Sequence, residues 1–215
     1  MFAGHYGVAM AAKKIAPKAS LGTLVLAAQF IDLLWPPLLL AGVEKVRISP
    51  GVTTLTPLDF YFYPYSHSLM AVILWAALFG AALKFRGKGG VEAMVAAGLV
   101  VSHWILDLLV HRPDLPLAPG LDVFMGFGLW NNAPVEIVLE LAIFFAGALI
   151  YWRAAGPFSR KGAFVFWGGA AFLLTIFVAN IFTLPPSVEA IAWSGNLLWL
   201  FVVWGYWVER SKSAI

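Results

Sequence analysis

The sequence predicts an all-α, polytopic integral membrane protein with about six transmembrane helices and a short N-terminal helix. Three observations predict it. Of 215 residues, 61% are hydrophobic and 12% charged, against about 45–50% and about 25% in soluble domains. Apolar runs near the roughly 20 residues needed to cross a bilayer recur along the whole chain. The lysines and arginines, finally, sort to one side of the topology these runs define.

The runs are 21–43, 66–83, 91–110, 134–152, 162–183 and 190–208. Turn or charge signals separate them: Ser49-Pro50-Gly51, the basic glycine-rich stretch 84–90, Arg112-Pro113-Asp114, the segment 154–157, and Pro185-Pro186. There is no internal repeat, so 1–215 reads as a single transmembrane domain. Its first half, 1–120, carries the motifs, and 121–215 adds the C-terminal helices. Tryptophans such as Trp130, Trp152, Trp193 and Trp207 stand at span ends, where indoles anchor at the interface.

In a six-span topology Lys13, Lys14, Lys18, Lys84, Arg86, Lys88, Arg153, Arg160, Lys161, Arg210 and Lys212 share one side, and Lys45, Arg47 and Arg112 the other. The positive-inside rule makes the first side cytoplasmic. Both termini are then cytoplasmic, in a membrane of the bacterial inner (plasma) type. No charged segment precedes an apolar core at the start, so no signal peptide is expected. The basic residues form no single patch, and no nucleic-acid partner is expected. The absence of cysteine excludes disulfides and thiolate metal sites.

Ionisable residues inside spans are rare and usually functional. Here they are Asp32, His67, His103, Asp107, Glu136 and Glu140, with His111 at a helix end. Helical rise places Asp32 about 16 Å, His103 about 18 Å and Asp107 about 24 Å above the cytoplasmic ends of their spans. His67 lies about 25 Å, Glu140 about 20 Å and Glu136 about 25 Å up. Four helices thus carry polar groups in one slab, the outer half of the bilayer. His5 joins it, about 12–15 Å up, if the N-terminal segment ending at Lys13 and Lys14 is re-entrant; a helix lying on the surface is the alternative.

His103 and Asp107 are spaced i, i+4 and share a helix face. Imidazole and carboxylate form a donor set for zinc foremost, or manganese or iron. A divalent ion removes the cost of burying charged carboxylates, and no lysine or arginine lies within the spans to do so instead. Structural readings stand beside these. His103 and Asp107 could be a helix-gluing pair, His67 a cap, and His111 an interfacial residue. Asp32 could satisfy backbone freed by Pro36, where a kink is expected, and Glu136 could be a first-turn charge.

The motifs Ser66-His67-Ser68-Leu69 and Ser102-His103 with Asp107 resemble the inner-membrane metal-dependent hydrolase family, as do Gly4-His5 and Asp32 in their order. The resemblance covers about residues 4–120. Asp32 stands without the family's second aspartate, Leu34 taking that place, and Tyr63-Pro64-Tyr65 replaces its His-Arg-Gly. The resemblance implies metal ligation by His5, Asp32, His67, His103 and Asp107 with one or two ions. Water acidified by the metal would attack, with Glu136 or Glu140 accepting its proton. His111 and Arg112 would steer an anionic head group at the outer mouth, making a phosphoester or other lipid-like molecule in the membrane the substrate. A metal-ion or proton transporter is the second expectation. The third is a membrane subunit of an oligomer or larger complex, for which Gly168-Gly169-Ala170-Ala171 would be a partner-facing flank.

Overall fold

The computed structural model describes residues 1–211; Lys212, one of the cations assigned to the cytoplasmic side, lies outside them. The chain is mostly helical: α1 (Ala3–Ala11), α2 (Leu21–Ala28), α3 (Phe30–Leu40), α4 (Pro64–His67), α5 (Leu69–Phe85), α6 (Gly90–Val110), α7 (Ala133–Ala154), α8 (Arg160–Phe182), α9 (Val188–Asn196) and α10 (Trp199–Arg210). Serines start many of them. Ser20, Ser68, Ser159 and Ser187 accept hydrogen bonds from the first-turn amides of α2, α5, α8 and α9, which satisfies donors no helix can satisfy itself.

Among the described residues, four helical stretches are long and apolar enough to cross a membrane: Gly90–Val110, Ala133–Ala154, Arg160–Phe182 and Val188–Arg210. The last joins α9 to α10. α2 and α3 qualify together, as a pair bent by 55°. α5 is apolar but has only 17 residues. Large apolar side chains face outward on α5, α8 and α10, among them Leu74, Phe172 and Val203, as lipid-facing helices require.

The bend in the first span is not where Pro36 predicts it. Both prolines lie inside α3, and the break comes at Gln29. Nor is the loop side without strands. β1 (Lys45–Ile48) and β2 (Leu58–Phe62) form an antiparallel hairpin with a bulge between Lys45 and Arg47. β3 (Leu115–Pro116) pairs with β4 (Phe124–Met125). No alternating pattern announces such short strands.

α1 is not a surface helix. Seven of its nine residues are buried, and it lies against α7, α2 and α6. Glycines make this possible: Gly7 meets the backbone of Ile143 and Phe144, and Gly147 meets the backbone of Gly7. Gly22 and Gly205 permit the same approach of α2 to α10. The small residues of α8 are partly spent inside the chain as well, because Gly169 lies against the Trp204 indole, which donates to the Val165 carbonyl at 2.8 Å.

The ends of the helices are tied together far from the polar slab. Glu209 Oε1 accepts from Lys13 Nζ, the Leu21 amide and the Tyr151 hydroxyl, each at 3.0 Å. Ser159 Oγ bonds the Ser211 carbonyl at 2.8 Å. The cation-bearing ends of α1, α7, α8 and α10 therefore meet at one end of the bundle.

A side chain at Gly147 has no room beside Gly7. Gly147→Val is expected to lower stability by about 1–3 kcal/mol, the usual overpacking cost. Thermal unfolding in detergent measures it, and an unchanged midpoint would show that α1 does not depend on this contact.

Candidate metal centre

Two of the expected ligands, Asp32 and His67, reach the site beside helix breaks, and the other three lie within continuous helices. Asp32 lies in the first turn of α3, just past the Gln29 break, where the helix N-terminus favours a carboxylate. His67 ends the short helix α4, and extended Ser68 separates it from α5. His103 and Asp107 share the buried face of α6. His5 arrives on the buried helix α1.

The structure brings these five residues together. His103 Nε2 lies 3.2 Å from Asp107 Oδ2 and 3.5 Å from Asp32 Oδ1. His67 Nε2 lies 3.4 Å from Asp32 Oδ1 and 4.0 Å from Asp107 Oδ2. His5 Nε2 is 3.2 Å from Asp107 Oδ1, and its ring stacks on that of His103 at 3.7 Å between centroids. Asp107 Oδ1 also takes the backbone amine of Met1 at 2.6 Å, a cation that counting lysines and arginines overlooks.

The tautomers follow from the outer partners. His103 Nδ1 lies 2.7 Å from the Ala28 carbonyl. A carbonyl only accepts, so Nδ1 carries the proton. Ala28 ends α2, where last-turn carbonyls lack helical partners, so the bend supplies this acceptor. His67 Nδ1 lies 2.6 Å from Ser66 Oγ, which donates to Glu44 Oε2 at 2.6 Å. Ser66 must then accept from His67, and Nδ1 again carries the proton. Glu44 is buried and also accepts the Tyr65 and Ser66 amides, both at 2.8 Å. Glu44 escaped sequence analysis because it sits in a loop.

Both imidazoles therefore turn Nε2 toward carboxylate oxygens. His103 Nε2 is buried and makes no hydrogen bond. Facing two carboxylates, this nitrogen needs positive charge beside it, from its own proton or from a bound cation. Asp32 Oδ1, His67 Nε2, His103 Nε2 and Asp107 Oδ2 suit one. Ligands at about 2.0–2.1 Å around a tetrahedral zinc lie roughly 3.3–3.4 Å apart, close to the three shorter separations here. Two triads, His5 with His103 and Asp107, and Asp32 with His67 and His103, each hold their ligand atoms within 4.8 Å of one another. His103 Nε2 has one lone pair, so it serves one triad at a time.

The remaining expected residues are placed differently. Both oxygens of Glu140 are taken, by the amides of Phe2 at 2.7 Å and Gly4 at 2.8 Å. It caps the start of α1, and its lone pairs are engaged there instead of standing free for a proton. Glu136 is fully buried beside Glu140, and among the described residues neither of its oxygens accepts a hydrogen bond from an N–H or hydroxyl. His111, just past α6, donates from Nδ1 to Asp114 Oδ1 at 2.9 Å, beside the Tyr63 hydroxyl at 3.2 Å. Burial holds the His111 imidazole below its usual pKa, with Asp114 opposing, and burial pushes the Tyr63 phenol well up. Arg112 does not steer anions: its Nε donates to Asp114 Oδ2 at 2.9 Å and its Nη2 pairs with Asp59, which also pairs with Arg47.

A cavity of about 610 Å³ opens beside the cluster. Asp32, His67, Asp107, His111 and Glu136 line its polar end. Trp130, expected as an interfacial anchor, also lines it and packs on His111 at 4.2 Å.

If the Glu44–Ser66–His67 chain orients His67, Ser66→Ala is expected to weaken metal binding about 10–100-fold, as loss of a partner behind a ligating histidine does. Competition with a chelator of known affinity measures it, and an unchanged affinity would remove Ser66 from the relay.

Comparison of the chain with protein-family models, with curated proteins and with solved structures finds no match in any of the three.

Proposed function

We propose that this chain is a membrane-embedded, metal-dependent hydrolase acting on a lipid-like substrate. The observation that carries the reading is the convergence of the His67 and His103 Nε2 atoms on the carboxylates of Asp32 and Asp107 beside a cavity of ligand size. The resemblance of Gly4-His5, Asp32, Ser66-His67-Ser68-Leu69 and Ser102-His103 with Asp107 to the inner-membrane metal-dependent hydrolases agrees with it.

Asp32, His67, His103 and Asp107 would hold one divalent ion, zinc by donor chemistry. Such an ion supplies a Lewis acid and lowers the pKa of water near neutral pH. The protein's own groups do the rest. Asp32, with its side chain 24% exposed, joins the centre to the cavity. His5, stacked on His103, holds that ring's plane. His111 faces the same cavity, and Asp114 fixes its Nδ1 proton, so its Nε2 is the atom that takes a proton and returns it to the leaving group.

In the membrane we assign six spans: the bent pair α2–α3, α5, α6, α7, α8 and the pair α9–α10. α5 rises about 26 Å, slightly short of the roughly 30 Å hydrocarbon core, and α4 extends it. The positive-inside asymmetry puts the Glu209 end in the cytoplasm of a bacterial-type inner membrane and the cavity toward the outer leaflet.

Elemental analysis of protein purified without chelators tests the centre. Stoichiometric metal in the wild type and its loss in both His103→Ala and Asp107→Ala are expected. A wild type still metal-free after incubation with zinc and manganese would sink the reading. Because the chain has no cysteine, single introduced thiols report topology. Lys88→Cys should react with an impermeant reagent only after the membrane is opened, and Asp122→Cys in intact cells; the reverse pattern overturns the orientation.

A further inference from the structure

The cavity differs in character along its length. One end carries the carboxylates of Asp32, Asp107, Glu136 and Glu140 and the imidazoles of His67 and His111. The walls are apolar and aromatic, with Trp35, Phe60, Trp130, Phe177, Ile181 and Leu198. Leu184, on the turn between α8 and α9, lines the cavity and is 66% exposed. This shape suits a molecule with one long apolar chain and one compact polar head.

The charge at the polar end restricts that head. Among the described residues no lysine or arginine lines the cavity, and the Met1 amine, which does, is paired with Asp107 Oδ1 at 2.6 Å. Arg112, the nearest cation in sequence, is held by Asp59 and Asp114. Glu140 is filled by the amides of Phe2 and Gly4. Glu136 lines the cavity, is completely buried beside Glu140, and among the described residues accepts no hydrogen bond from an N–H or hydroxyl. A buried carboxylate without a donor is costly. A ligand that brings an N–H donor or an ammonium removes that cost, whereas an anionic head adds to it. The aromatic faces of Phe60 and Trp130 favour a cationic head further.

We infer that the cavity binds a single-chain amphiphile whose head carries an amine or another N–H donor, that Glu136 anchors this head, and that the apolar wall from Trp35 to Leu198 takes the chain. Only in calling this amphiphile the substrate does the inference rest on the hydrolase reading; binding stands by itself. It points away from phosphate-headed lipids.

The test uses the full chain in phosphatidylcholine nanodiscs and three photoreactive probes. One is a sixteen-carbon amine with a diazirine in its chain, the second the same chain with a phosphate head, and the third a four-carbon amine. Mass spectrometry reads crosslinks to residues 173–198. The long amine is expected to label this segment at least about tenfold more than either other probe, the smallest factor a charge-assisted hydrogen bond gives. Glu136→Gln should abolish the preference for amine over phosphate while metal content and unfolding temperature stay at wild-type values. Equal labelling by the amine and phosphate probes overturns the inference, as does a Glu136→Gln protein that keeps the preference. If that variant does not fold, the head-group comparison in the wild type decides. Metal is measured on the same preparations: selective labelling of metal-free protein upholds this inference and ends the hydrolase reading, and metal without selective labelling does the opposite.

Discussion

The buried carboxylate of Asp107 is the constraint on which the rest of the structure depends. It sits almost fully enclosed in an apolar bundle, where an uncompensated charge costs several kcal/mol. Its two oxygens recruit opposite sides of the fold. Oδ1 takes His5 of α1 and the Met1 amine just before it, and Oδ2 faces His103 and His67. Asp32 then adds a second charge to the same point. Three separate chain segments must converge on one helix of α6, and the architecture is organised to let them.

That convergence explains irregularities that would otherwise look like defects. A straight first span would tie up the Ala28 carbonyl in its own helix; the break at Gln29 leaves it for His103. A continuous helix from Pro64 to Phe85 would turn Ser66, His67 and Ser68 in successive directions on one cylinder. Division at Ser68 gives each its own task. Ser66 links His67 to Glu44, His67 faces the aspartates, and Ser68 caps α5. Gly7 and Gly147 bring α1 within backbone contact of α7, and Glu140 on α7 then caps α1.

The end of α6 is held by another network with a different purpose. Asp59 on β2 and Asp114 after α6 share Arg112, so the hairpin is fastened over the end of α6. Asp114 also fixes His111, and Phe60 and Trp130 close on its ring. The charges here are consumed by one another. Glu136, by contrast, is a buried group of the cavity that accepts no hydrogen bond from an N–H or hydroxyl among the described residues.

What the sequence determined by itself is what periodicity and composition encode. Apolar runs marked the membrane-spanning stretches, because lipid leaves backbone no alternative to helix. The i, i+4 spacing put His103 and Asp107 on one face, and helical rise brought Asp32 and His67 to their level. Tertiary structure decided which of the polar groups were already spoken for. Glu140 bonds amides 136 and 138 residues away, Glu44 bonds Ser66 across 22, and His103 meets Ala28 across 75. Such pairings leave no local pattern, since a hydrogen bond depends on where two helices cross and not on what lies between them in the chain. For the same reason the Gln29 bend and the capture of Arg112 were invisible in the sequence, which left the N-terminal helix open between a surface and a re-entrant position, whereas the shared face of His103 and Asp107 was written in it.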